Sequence, residues 1–139
     1  MAAFGELIVI YDLLPEIAEK LDKALDELVK KAAFDIQAQA QAKAPVDTGF
    51  LKNSIYVKTP HESTYGDAQE PEAGQTLLPE VEPPKKHEAV VAVGANYGVY
   101  VEFGSVHGPA QPYLSPAVAQ VEPMFLVALE KLEALIEVA

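Results

Sequence analysis

Ile17, Leu21, Leu25, Leu28, Ala32 and Ile36 recur at steps of four and three, and a proline, Pro45, follows them. That spacing places six apolar side chains on one stripe of an α-helix. Asp12 can cap such a helix, Pro15 fits its first turn, and Pro45 turns the preceding residue away from helical geometry, so the helix is expected to run to Lys43. At about 1.5 Å per residue it would be roughly 40 Å long. Its acidic outer face reads as a solvated face. Its tail, Gln37-Ala38-Gln39-Ala40-Gln41-Ala42, has small side chains that would let another backbone approach closely.

A second stripe, Val118, Val121, Phe125, Leu129, Leu132 and Ile136, predicts a C-terminal helix. Pro123 falls inside it, so either the helix kinks there or a new one starts at that proline. Between the two stripes, Ser54 to Thr59 alternates with Ile55 and Val57 on one face, and Ala89 to Val93 is an apolar, largely β-branched run ending at Gly94. These read as paired strands. Leu7 to Tyr11 fits a short strand or the lead-in to a helix. Tyr97 to Phe103 fits strand alternation through Val99, Val101 and Phe103, or a helical step from Tyr97 to Tyr100 and Val101.

Pro60 to Pro84 holds five prolines and six acidic residues but no lysine. A stretch this long and polar is not expected to pack as a core, and disorder in the isolated chain is the expectation for a flexible acidic Pro-rich loop over 60–86. Its apolar foothold is Leu77, Leu78 and Val81, which are candidate contacts for a partner. At 139 residues, half of them apolar, the chain is expected to form one domain spanning 1–139.

The charge is lopsided, with 21 acidic residues against 10 basic ones, all lysine. Phosphate binding needs clustered basic side chains, and arginine supplies the bidentate contacts that lysine cannot, so a grip on nucleic acid is not expected. Cysteine is absent, which excludes disulfides and thiolate metal sites. The apolar N-terminal stretch is short, follows Glu6 and lacks a basic leader, so neither a secretory signal nor a membrane span is expected, and the chain should be cytosolic when made.

Asp47-Thr48-Gly49 is also the active-site triplet of aspartic proteases, which would require a dimer with two carboxylates sharing a proton. In that class the triplet follows an apolar strand; here it follows a long helix. A cap at the start of a short helical turn suits Asp47 or Thr48 better, with Gly49 removing a steric constraint. His61, His87 and His107 stand in no metal-binding spacing, and neither a phosphate loop nor a nucleophile elbow is present. No cofactor and no metal are expected. Glu102 among apolar neighbours calls for a satisfied polar contact, within the subunit or across to another, unless it lies on an exposed strand position. The tyrosines around it suit a subunit surface as well as a core.

Three blocks stand in a recognisable order: Ala44-Pro45-Val46-Asp47-Thr48-Gly49, then Tyr97-Gly98-Val99-Tyr100-Val101-Glu102-Phe103-Gly104, then Pro109-Ala110-Gln111-Pro112-Tyr113-Leu114-Ser115-Pro116-Ala117. In this order they resemble the small tail-completion or head-tail joining (neck) proteins of long-tailed bacteriophages, from Ile17 to the C-terminus. The resemblance implies an α+β fold in which a small antiparallel sheet packs against a long N-terminal helix and a C-terminal helix, with the long loop between two strands. It implies a structural virion protein, not an enzyme, assembling as a ring, typically a hexamer, around the DNA channel. Implied partners are further copies of itself, the head connector or head-completion protein, and the tail tube or tail terminator protein, with DNA passing through without specific binding and no membrane. The protein would be made in the host cytoplasm and end in the virion neck or tail.

In that reading Asp47, Thr48, Gly49, Tyr97, Tyr100, Glu102, Phe103, Gly104, Pro112 and Leu114 fix the fold and present subunit-contacting edges. Arginines that such families carry near these blocks are missing here, so contacts made by arginine do not transfer. Another minor tail or head-closure role, and from other classes a dimeric aspartic protease or an acidic decoy mimicking DNA, are the alternatives.

Overall fold

The computed structural model describes residues 8–9, 15–45, 49–67 and 70–138. Its elements are β1 (Ile8–Val9), α1 (Pro15–Lys43), α2 (Phe50–Ser54), β2 (Ile55–Lys58), β3 (Val90–Val93), α3 (Gly98–Phe103) and α4 (Leu114–Val138), with a 3-10 turn at Tyr65–Asp67. The fold is α+β. The sheet order is β1-β3-β2, antiparallel throughout. The open reading at the N-terminus therefore resolves to strand for Ile8 and Val9, while Leu7, Ile10, Tyr11 and the expected cap Asp12 lie outside the described residues. The reading of 97–103 resolves to helix from Gly98. α4 passes Pro123 without a break. Pro123 and Ala119, four residues earlier, are both exposed, so the carbonyl that loses its helical partner faces water.

The register explains why β3 is apolar at every step and β2 is buried from Ile55 to Val57. Ile55 pairs with Val93 and Val57 with Val91, and these side chains join the main core. Tyr56 pairs with Ala92 and Lys58 with Val90; Tyr56, Val90 and Ala92 form a second buried cluster on the opposite face. α1 and α4 cover the first face. Val29, Ala32, Ala33, Ile36 and Ala40 meet Leu114, Ala117, Val121 and Phe125 there, and Lys43 donates to Gln120 Oε1 at 3.0 Å. Of the alanines in the α1 tail only Ala40 is buried, together with Ala44 just past the helix, whereas Ala38 and Ala42 are exposed.

The second face is covered by the Pro-rich segment, and here the structure departs from the sequence reading. The segment lies on the sheet because its few apolar and hydroxyl side chains are spaced to meet it. Tyr65 and Val81 pack on the second cluster, the Tyr65 ring standing edge-on to Tyr56 at 5.0 Å between centroids. Tyr65 OH donates to Leu78 O at 2.6 Å, and Val81 N–H donates to Tyr56 OH at 3.0 Å. Leu78 N–H donates to Gly94 O and Asn96 N–H to Thr76 O. Lys58 Nζ closes the edge, 2.8 Å from Glu80 Oε2. Leu77, offered to a partner in the sequence reading with Leu78 and Val81, packs against the main core, with its Cδ1 2.6 Å from where a Cβ on Gly94 would stand.

Candidate assembly motif and its lock

Glu102 stands at the centre of the Tyr-Val-Glu-Phe-Gly block, on the last turn of α3, and it is 3% exposed. Its Oε1 accepts the N–H groups of Tyr113 and Leu114, both at 2.9 Å, and its Oε2 accepts Ser115 N–H at 3.1 Å. Those are the leading donors of α4, which have no intrahelical partner. The next residue, Pro116, has no N–H to satisfy. One carboxylate from α3 therefore takes up the free donors of α4 and sits at the positive end of its dipole. Burial alone would raise the Glu102 pKa; the Leu114 and Tyr113 backbone donors, with Ser115, outweigh it and hold the carboxyl below its ordinary value.

The same contact fixes the neighbouring motif residues. Tyr113 is fully buried and its OH donates to Gly98 O at 3.0 Å. A Cβ on Gly98 would stand 2.6 Å from Val93 Cγ1 and 2.8 Å from Tyr113 Oη, so only glycine lets α3 sit this close. Burial, the Glu102 charge and Tyr97 push the Tyr113 phenol pKa up, so it remains a donor. Gly104 ends α3 with φ 85°, a left-handed backbone that favours glycine, and Gln111 N–H returns to Val101 O at 2.8 Å. Tyr97 lies half-buried beside Phe50, ring centroids 6.2 Å apart. Leu114 is fully buried, whereas Tyr100, Phe103 and Pro112 are exposed.

Gly49 has φ 77° and precedes α2 with no side-chain cap. Asp47 and Thr48, the expected caps, lie outside the described residues. The tyrosine, glutamate and Pro-Tyr-Leu blocks thus converge on one lock, and Gly49 leads directly into α2.

Sequence reasoning missed a second feature at the far end of α1. His87 has φ 66° and is 6% exposed. Its Nδ1 lies 2.8 Å from Asp26 Oδ1, and its Nε2 is 2.9 Å from Asp22 Oδ1 without the alignment of a hydrogen bond. Lys86 Nζ is 2.7 Å from the same Asp22 oxygen. The four-residue step from Asp22 to Asp26, which stacks both carboxylates on one helix face, was the available signal. They flank a cleft of about 430 Å³ that His61 and Glu62 also line. Glu62 is ion-paired there with Lys30. Among the described residues no cluster of His, Asp and Glu is arranged to hold a metal ion, and no helix is long and apolar enough to cross a membrane.

Residues 10–104 match the family described as "Bacteriophage HK97-gp10, putative tail-component". The chain belongs to this HK97-gp10-like family. Neither a curated protein nor a solved structure matches it. The matched stretch runs from α1 through the sheet to Gly104, so it contains the carboxylate half of the lock, while the capped helix lies beyond it. A phage tail-related structural protein, associated with the virion, is what this membership supports.

Proposed function

We propose that this member of the HK97-gp10-like family completes the tail and joins it to the head of a long-tailed phage or prophage, as a ring of subunits around the DNA channel. The observation that carries the reading is the family match over residues 10–104. The lock is consistent with it, because Glu102, the buried carboxylate of the motif, is wholly engaged in holding α4 and has no oxygen left for chemistry. The role is structural and performs no reaction.

A ring of chains each carrying a formal net charge of −11 would repel DNA rather than hold it, which suits passage without specific binding. The partners on either side are the head connector or head-completion protein and the tail tube or tail terminator protein. The test is electron microscopy of particles made after deleting the gene in its source phage or prophage. Filled heads beside separate or unfinished tails are the expected result; intact, infectious virions would overturn the reading.

A further inference from the structure

From Phe103 to Val121 the chain carries no Asp, Glu, Lys or Arg, although charged residues make up 22% of the whole. His107 is the one ionisable side chain on its surface. Most of the stretch is exposed. At its tip Ser105 and Gly108 pair through Ser105 N–H to Gly108 O at 3.0 Å and Gly108 N–H to Ser105 O at 3.2 Å, and His107 N–H donates to Ser105 Oγ at 3.1 Å. This tight hairpin holds Val106 outward at 96% exposure. Tyr100 and Phe103, one helical step apart on α3, are 60% and 64% exposed. The result is a convex apolar surface with a rigid base.

A concave one lies elsewhere on the same chain. Between α1 and α4 a groove of about 130 Å³ is floored by Leu28, Ala32, Val121, Phe125 and Ala128. Met124 stands at its rim, 60% exposed. The two charged residues lining it, Lys31 and Asp35, are ion-paired at 2.6 Å and neutralise each other. Tyr100, Phe103 and Val106 do not line it.

We propose that the Ser105–Gly108 hairpin of one subunit, led by Val106, docks in the α1–α4 groove of a second copy. This rests on the ring reading above and names the surfaces that would build the ring. The charge distribution selects the occupant. Two chains of net charge −11 repel least where neither presents net charge, and the hairpin and the groove both meet that condition. Depletion of charge with exposed aromatic side chains is also the composition of interface centres. Because the convex and concave surfaces differ, the contact is heterologous, the type that propagates from subunit to subunit and closes into a ring when the rotation allows.

Light scattering with size exclusion, over a concentration series of the full chain, tests this with two variants at exposed positions, Val106→Glu and Met124→Glu. Circular dichroism checks that each variant folds. Wild type is expected to self-associate, and each variant to weaken association by at least about thirty-fold, as for the loss of an interface anchor. An equimolar mixture of the two variants should recover a discrete pair, since it retains one intact hairpin and one intact groove. A wild type that is monomeric throughout overturns the docking proposal. Assembly unchanged in both variants also overturns it, while leaving the ring reading to the deletion experiment. A mixture that fails to pair overturns the heterologous geometry.

Discussion

Glu102 and Asp22 are both carboxylates held below their ordinary pKa, and they reach that state by opposite routes. Around Glu102 burial works against the charge, and the leading backbone donors of α4 overcome it. Asp22 is lowered first by its hydrogen bond to Lys86, with the Lys86 and His87 charges adding to it against some desolvation. The donors of Glu102 are fixed by a helix and cannot move away. Those of Asp22 are side chains, and Lys86 stands largely in solvent. The first arrangement is a structural bond between two elements, screened little by salt. The second is a surface contact whose strength depends on ionic strength.

The largest effect should come from Glu102→Ala, which leaves the buried N–H donors of Tyr113 and Leu114 and the part-buried one of Ser115 without a partner and is expected to cost about 3–5 kcal/mol in urea unfolding. Glu102→Gln keeps the shape but turns an amide N–H₂ toward donors, for about 2–3 kcal/mol. The pH dependence sharpens the comparison. Since the folded-state pKa of Glu102 is depressed, its contribution is fully present above the ordinary value near 4.5 and is lost as pH falls through the lower folded value. Wild type should therefore lose stability in acid more steeply than Glu102→Gln, and parallel acid titrations of the two would break the argument.

Gly98→Ala comes next, at about 1–3 kcal/mol, because its Cβ would collide with Val93 and the Tyr113 hydroxyl. Thermal melts of this variant with and without Tyr113→Phe separate collision from lost hydrogen bond. The smallest effects belong to the His87 cluster. Lys86→Ala should destabilise least, with the difference from wild type shrinking in high salt. His87→Gly should cost less than His87→Ala, since glycine adopts the left-handed backbone without strain. A salt-independent loss at Lys86 would remove the contrast with Glu102.

Much of this architecture was legible because it rests on periodicity. The stripe on α1 from Leu28 to Ile36, the stripe on α4 from Val118 to Leu129 and the alternation at Ile55 and Val57 each report residues on the main core, while Tyr56 between the last two is buried on the other face. The sequence also showed that Glu102 needed a partner. It did not show which one, because the donors lie 11–13 residues away and become available only where α4 begins. The six residues of α3 are too few to separate helix from strand by pattern. Ala89 to Val93 was legible as a strand but not as one covered on both faces, because the second cover is a segment whose composition reads as disorder. Composition averages over Tyr65, Leu77 and Val81, whereas the sheet meets them one at a time.

That cover has a practical corollary. Glu70 to Gly74 are all exposed, and Gly74 has φ 82° with nothing within 4 Å of its would-be Cβ. Lengthening a flexible loop costs only about 0.6 kcal/mol per doubling. A peptide tag inserted at Gly74 would leave the strands and both helices in register, and would give microscopy of assembled particles a marker on the outer face of the sheet.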